Sequence, residues 1–185
     1  MVETIQKSLS LTDFLERPET KPASEYINGK ISQKPMPQGE HSRLQYKLCF
    51  AINAVTEPAK IALAFPELRC TFADRSLVLD IAVFRWQRIP KTDSGRIANR
   101  FNTYPDWMIE ILSPQQSTTQ VLNKLLQACQ QGTQLGWLIN PEEATVLVIS
   151  ENQRLDVFSQ DDQLPVLEGI DLSVTVGNIL EWLTI

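Results

Sequence analysis

Two apolar runs, SLVLDIAVF (residues 76–84) and WMIEIL (residues 107–112), each carry a single acid near the middle: Asp80 in the first and Glu110 in the second. Short continuous runs rich in Val, Ile and Leu are strands buried on both faces. A lone carboxylate in such a strand either sits at a sheet edge or pairs with a buried Lys or Arg, since an unpaired buried charge is costly. Two such strands side by side bring like charges together, and that arrangement is tolerable when a cation lies between them. The pair of acidic strands therefore suggests a metal site.

The 185 residues suit one domain, 1–185, and 43% hydrophobic with 21% charged residues is ordinary globular composition. Cys49, Cys70 and Cys129 are far apart and set among apolar neighbours, and one histidine cannot complete a zinc site with them. They are expected to be reduced core thiols. A formal charge of −5 argues against coating nucleic acid by bulk charge, so a polyanion would be met locally. No apolar run reaches about 18 residues, and the opening MVETIQKSLS is too polar for the core of a secretory signal. The expectation is a soluble, cytoplasmic protein with no membrane partner.

Local signals order the chain. SLSLTDFLERPE reads as a short opening helix capped by Ser10 or Thr12 and stopped by Pro18. In SEYINGKISQKP, Asn28-Gly29 marks a tight hairpin, with Glu25 at the start of its first strand. Leu44, Leu48, Ala51 or Ile52, and Val55 recur at helical spacing over 40–55. Short strands are expected at 60–65, 67–72 and 76–85, then a loop over 87–104 that carries Arg88, Lys91, Arg96 and Arg100. After the Glu110 strand a helix runs from Thr118 to Gln131 and Gly132 ends it. LGWLI, ATVLVIS and RLDVFS read as strands, and VGNILEWL as a final helix.

This order, with SLTDFLERPE, SEYINGKI, EHSRLQ, LVLDIAVF, PDWMIEILSPQQST, NKLLQACQQGTQLGWLINP and ILEWL in sequence, resembles the restriction-endonuclease-like family known as Uma-two, of the PD-(D/E)XK nuclease superfamily. The resemblance spans nearly the whole chain. It implies an α/β fold, restriction-endonuclease-like, with a central mixed β-sheet flanked by helices and an N-terminal hairpin.

The resemblance also implies roles. Asp80 and Glu110 become metal ligands on adjacent strands, and Glu25 matches the family's first-hairpin glutamate and would complete the shell. Oxygen ligands of this kind suit Mg²⁺ or Mn²⁺. The superfamily places a lysine two residues after the glutamate, where this chain has Leu112; Lys124, on the following helix, matches the family's basic position instead. His41 stands where the family tends to carry histidine, with either a substrate contact or a helix-capping role. The implied activity is Mg-dependent hydrolysis of DNA phosphodiesters, catalysed by Asp80, Glu110, Lys124 and Glu25. Arg88, Lys91, Arg96 and Arg100 would touch phosphates, and a homodimer would cut both strands. The alternative is a catalytically inactive module that kept the nuclease fold and binds nucleic acid or protein.

Overall fold

The structure, a computed structural model, describes residues 9–185; residues 1–8, most of the polar opening stretch, lie outside the described residues. Helix α1 (Leu11–Leu15) begins with a reciprocal cap, in which the Asp13 N–H donates to Ser10 Oγ (3.1 Å) and the Ser10 N–H donates to Asp13 Oδ2 (3.2 Å). Such a box satisfies N-terminal donors that no helical partner reaches. The hairpin follows as predicted: β1 (Ser24–Ile27) and β2 (Lys30–Gln33) are joined by Asn28 and Gly29 with φ of 47° and 84°. Positive φ at both positions is what a two-residue turn matching the strand twist requires.

Helix α2 (Gly39–Thr56) buries Leu44, Leu48 and Ile52, the positions whose spacing predicts it. The two strands expected at 60–65 and 67–72 are one, β3 (Ala62–Phe72), paired antiparallel along its length with β4 (Arg75–Arg85). Pro66 and Glu67 bend the ladder without ending it. Glu67 has a φ of 48°, and the register resumes on either side of it, Pro66 opposite Ile81 and Leu68 opposite Leu79. Along β4 the alternation slips at the same level, since Leu77 and Leu79 pack in the same cluster as Ala82 and Phe84. A slip of one residue turns the following side chains to the other face, and here it falls on Asp80.

Beyond β4, a short 3₁₀ turn (Trp86–Arg88) leads into the charged loop, which is pinned and not free. Phe101 is buried between Phe65 and Phe84, with ring centroids at 5.3 and 5.0 Å. Strand β5 (Trp107–Ile111), helix α3 (Thr118–Gln130) and strand β6 (Leu135–Asn140) form a parallel crossover unit. Gly132 ends α3 at a φ of 117°, where a Cβ would stand 2.5 Å from Tyr104 Oη. Strands β7 (Thr145–Ser150) and β8 (Leu155–Ser159) complete an eight-stranded mixed sheet ordered β2-β1-β4-β5-β6-β7-β8, with β3 on the other edge of β4. The closing helix, α4 (Val176–Glu181), is shorter than its sequence pattern.

Two cores lie on opposite faces of this sheet. One packs Leu44, Leu48 and Ile52 of α2 against Ile81, Val83, Trp107 and Ile109, with Ile179 of α4 in the same cluster. The other packs Val121 and Leu125 of α3 against Leu79, Met108 and Leu138. Cys49, Cys70 and Cys129 are buried free thiols, as expected. Among the described residues, no helix is long and apolar enough to cross a membrane.

Candidate active site at a gap in the sheet

Strand β3 fills one edge of β4, so β1 and β5 must share the other. Strand β1 pairs with Arg75 and Ser76, and β5 with Ile81 to Val83, which leaves Leu77 to Asp80 without a strand neighbour on that edge. Buried backbone groups must still be paired, and here side chains pair them. Glu25 Oε1 accepts from the Val78 N–H (3.1 Å), and Lys34 Nζ donates to the Val78 carbonyl (2.8 Å). Asp80 Oδ2 accepts from the Ile111 N–H (2.8 Å), so its carboxylate takes the place of a ladder bond to β5.

The same gap gathers the charges. Continuing the β4–β5 register by one step beyond Ile81 and Ile109 sets Asp80 opposite Glu110. Asp80 also bonds Lys34 Nζ through Oδ1 and His41 Nε2 through Oδ2, the latter at 3.1 Å. Glu25 bonds Lys124 Nζ through Oε2. Glu110 is buried as deeply as the others, yet its Oε1 has no hydrogen-bond partner.

These surroundings drive the acids apart. Burial raises the carboxyl of Asp80, but the His41 hydrogen bond and the Lys34 charge outweigh it and hold the group at about 2. Burial and the neighbouring Asp80 charge push Glu110 up to about 8, against the opposing pull of Lys34 and Lys124. For Lys34 burial acts downward, while Glu110, Asp80 and Glu67 more than compensate and raise it above the ordinary lysine value.

Of the residues predicted from sequence, Asp80, Glu110, Glu25, Lys124 and His41 therefore come together. They do not converge as one ligand shell: among the described residues no group of three His, Cys, Asp or Glu side chains is arranged to hold an ion. Glu25 is turned toward Lys124 and Val78, whereas Asp80 and Glu110 stand opposite each other in the extended register and Glu110 Oε1 has no hydrogen-bond partner. Two carboxylates and water are a common complement for Mg²⁺, so Asp80 and Glu110 fit a hard cation and Glu25 would have to leave its lysine to join them.

The loop cations lie elsewhere. Arg88 is engaged within the fold, donating to Asp106 Oδ1 (2.7 Å) and the Tyr104 carbonyl (3.0 Å) and lying 4.7 Å from the Tyr104 ring centre. Its expected phosphate contact gives way to this internal clamp, because the buried Asp106 needs a partner. Lys91, Arg96 and Arg100 are exposed, and none of them lines the cleft at Asp80.

Lys34 is the side chain of this cluster that sequence reasoning missed. It leaves the hairpin just after β2, where local rules place a solvated residue; only the buried-cation alternative for an acid in an apolar strand hints at it. Gln45, also unforeseen, donates to the Asp80 carbonyl (2.7 Å) and to Glu67 Oε1 (3.1 Å), bridging the bend in β3 to the site.

A mixed sheet with acids meeting where strands part, entered by an N-terminal hairpin, is a nuclease-like arrangement, and comparison with known proteins gives the family. The chain belongs to the Uma2 family, whose model, described as "Putative restriction endonuclease", matches residues 11–177. It is similar to a solved structure from Anabaena variabilis ATCC 29413, described as a "putative nuclease belonging to DUF820". That similarity is 51% in sequence with a TM-score of 0.92, covering 95% of this chain and 99% of the other. A search of curated proteins finds no match.

Proposed function

We propose that the protein is a Mg²⁺- or Mn²⁺-dependent endonuclease that hydrolyses phosphodiester bonds in DNA, working as a homodimer so that each strand of a duplex meets one site. The observation that carries this reading is the facing pair Asp80 and Glu110, one held ionised and the other buried with an unpartnered oxygen. Family membership supports the hydrolytic class.

An ion held by Asp80 and Glu110 would polarise the phosphate and make water more acidic. Asp80 is set for this by His41 and the Ile111 N–H, which fix its carboxylate plane. Glu25 and Lys124 neutralise one another beside Glu110, so the ammonium tempers the charge on that acid. In the reaction, a water oxygen bonds to phosphorus, one bridging P–O bond breaks, and the departing oxygen takes up a proton. Exposed Lys91, Arg96 and Arg100 would contact phosphates away from the reacting centre.

The ion pairs Asp80–Lys34 and Glu25–Lys124 also favour a second reading, a nuclease-fold module that binds without cleaving, since they balance two acids with lysines and need no metal ion to do so. A plasmid assay separates the two. Purified protein with Mg²⁺ or Mn²⁺ should nick or linearise DNA, EDTA should stop it, and Asp80→Asn and Glu110→Gln should abolish it. Cleavage that persists equally in both variants defeats the proposal, and DNA binding by the wild type without cleavage favours the module.

A further inference from the structure

We propose that Lys34 is the catalytic ammonium that grips the scissile phosphate, an inference that rests on the hydrolytic reading above. Three observations single it out. First, the cleft beside Asp80, about 40 Å³ in volume, is lined by Lys34 together with His41, Glu67, Asp80, Ser113 and Gln116; Lys124, Glu25 and Glu110 lie behind this lining. Lys34 is the lysine that an oxygen entering this cleft would meet.

Second, two protein acceptors share three donors. An ammonium has three N–H groups; those of Lys34 donate to Asp80 Oδ1 and the Val78 carbonyl, and the group also forms an ion pair with Glu67 Oε1 at 4.0 Å. The third N–H makes no hydrogen bond to the protein. Third, the group is held in place. Its side chain is 8% exposed, and its backbone N–H donates to the Ala23 carbonyl (2.9 Å), tying the exit of the hairpin to its entry. Donors fixed before reaction are those that stabilise developing charge most effectively.

Position 112, two residues after Glu110, is a leucine, so β5 brings no ammonium of its own. Lys34 enters from the opposite side of the gap and reaches Asp80 instead. It transfers no proton. Its free N–H donates to a non-bridging phosphoryl oxygen as negative charge gathers there, while the water oxygen bonds to phosphorus and the leaving P–O bond breaks. Lys124, bonded to Glu25, keeps that acid balanced and does not touch the phosphate.

The test compares wild type, Lys34→Met and Lys34→Arg in three measurements: cleavage with Mg²⁺, calorimetric titration with Mn²⁺, and binding of an uncleaved DNA duplex in Ca²⁺ over a range of salt. Lys34→Met should lose about 100-fold or more in kcat, the scale of removing one preorganised donor. It should retain Mn²⁺ binding and lower the slope of log affinity against log salt by about 0.9, one phosphate contact. Lys34→Arg should keep the melting temperature and most DNA affinity yet lose about tenfold in kcat, because a planar fork does not reproduce the ammonium. If Lys34→Met fails to fold, the arginine variant carries the decision, and full activity in it overturns the proposal.

Activity of Lys34→Met equal to wild type, with Asp80→Asn inactive, overturns the role of Lys34 and leaves the nuclease reading standing. Loss of Mn²⁺ binding in step with activity, at an unchanged salt slope, also overturns it, since that is the signature of a purely structural ion pair. If wild type does not cleave at all, the hydrolytic reading fails and catalysis by Lys34 fails with it; a lowered slope in Lys34→Met would then leave only its phosphate contact.

Discussion

Asp80 and Glu110 stand on neighbouring strands, both buried in the same gap, and have opposite fates. Asp80 receives a lysine, a histidine and a backbone N–H, and it stays ionised. Glu110, opposite it on the next strand, receives no partner at Oε1 and is pushed toward its neutral form. Identical chemistry in nearly identical burial thus diverges because of what arrives from elements remote in sequence. The centre is half balanced: one acid is satisfied within the chain, and the other keeps a buried oxygen without a partner.

The contrast is broken most forcefully at the satisfied acid. Asp80→Ala removes the carboxylate that hydrogen-bonds Lys34, and removing one partner of such a buried pair costs about 3–5 kcal/mol. Chemical denaturation should show that loss, and the double variant Asp80→Ala/Lys34→Met should recover much of it. Recovery of nothing would mean that Lys34 does not depend on Asp80.

The second pair can be opened in the same way. Lys124→Met leaves Glu25 buried opposite an apolar chain, and a loss of about 3 kcal/mol is expected, offset by adding Glu25→Gln. The cycle sharpens the comparison because this pair lies beside Glu110 and not on it.

At Glu110 the sign reverses. Its carboxyl ionises near 4.5 when free and near 8 in the fold, so the folded state holds the proton more tightly. The contribution of Glu110 to stability is therefore full below about pH 4.5, falls as pH rises toward about 8, and levels off beyond it. Glu110→Gln escapes that loss. In metal-free protein its stability advantage should be absent in acid and grow steadily toward the alkaline end, each tenfold difference in proton affinity being worth about 1.4 kcal/mol. A variant less stable than wild type near neutral pH would show that Glu110 is engaged in a structural ion pair.

The smallest effect belongs to the loop. Arg96→Ala and Arg100→Ala are expected to change stability by less than about 0.5 kcal/mol. Each should still lower the salt slope of duplex binding by about 0.9. A shifted melting temperature with an unchanged slope would move these residues from the substrate to the scaffold.

Much of this molecule was legible without coordinates. Apolar periodicity marked α2 and α3, Asn28-Gly29 marked the hairpin, and two acids in apolar strands marked the centre, because each rests on near neighbours whose spacing is set by local geometry. The continuity of β3 through Pro66 was not legible, since a proline at that point is also an ordinary strand end. Nor was the internal use of Arg88, which depends on Asp106 being folded back beside it.

The sequence by itself determined that carboxylates would be buried in the middle of a sheet. Only the tertiary structure decided which of them is satisfied: Lys34 lies 46 residues from Asp80, and Lys124 lies 99 from Glu25. Pairings across such separations follow from where strands part and which side chains must complete the exposed backbone, and no local pattern encodes that.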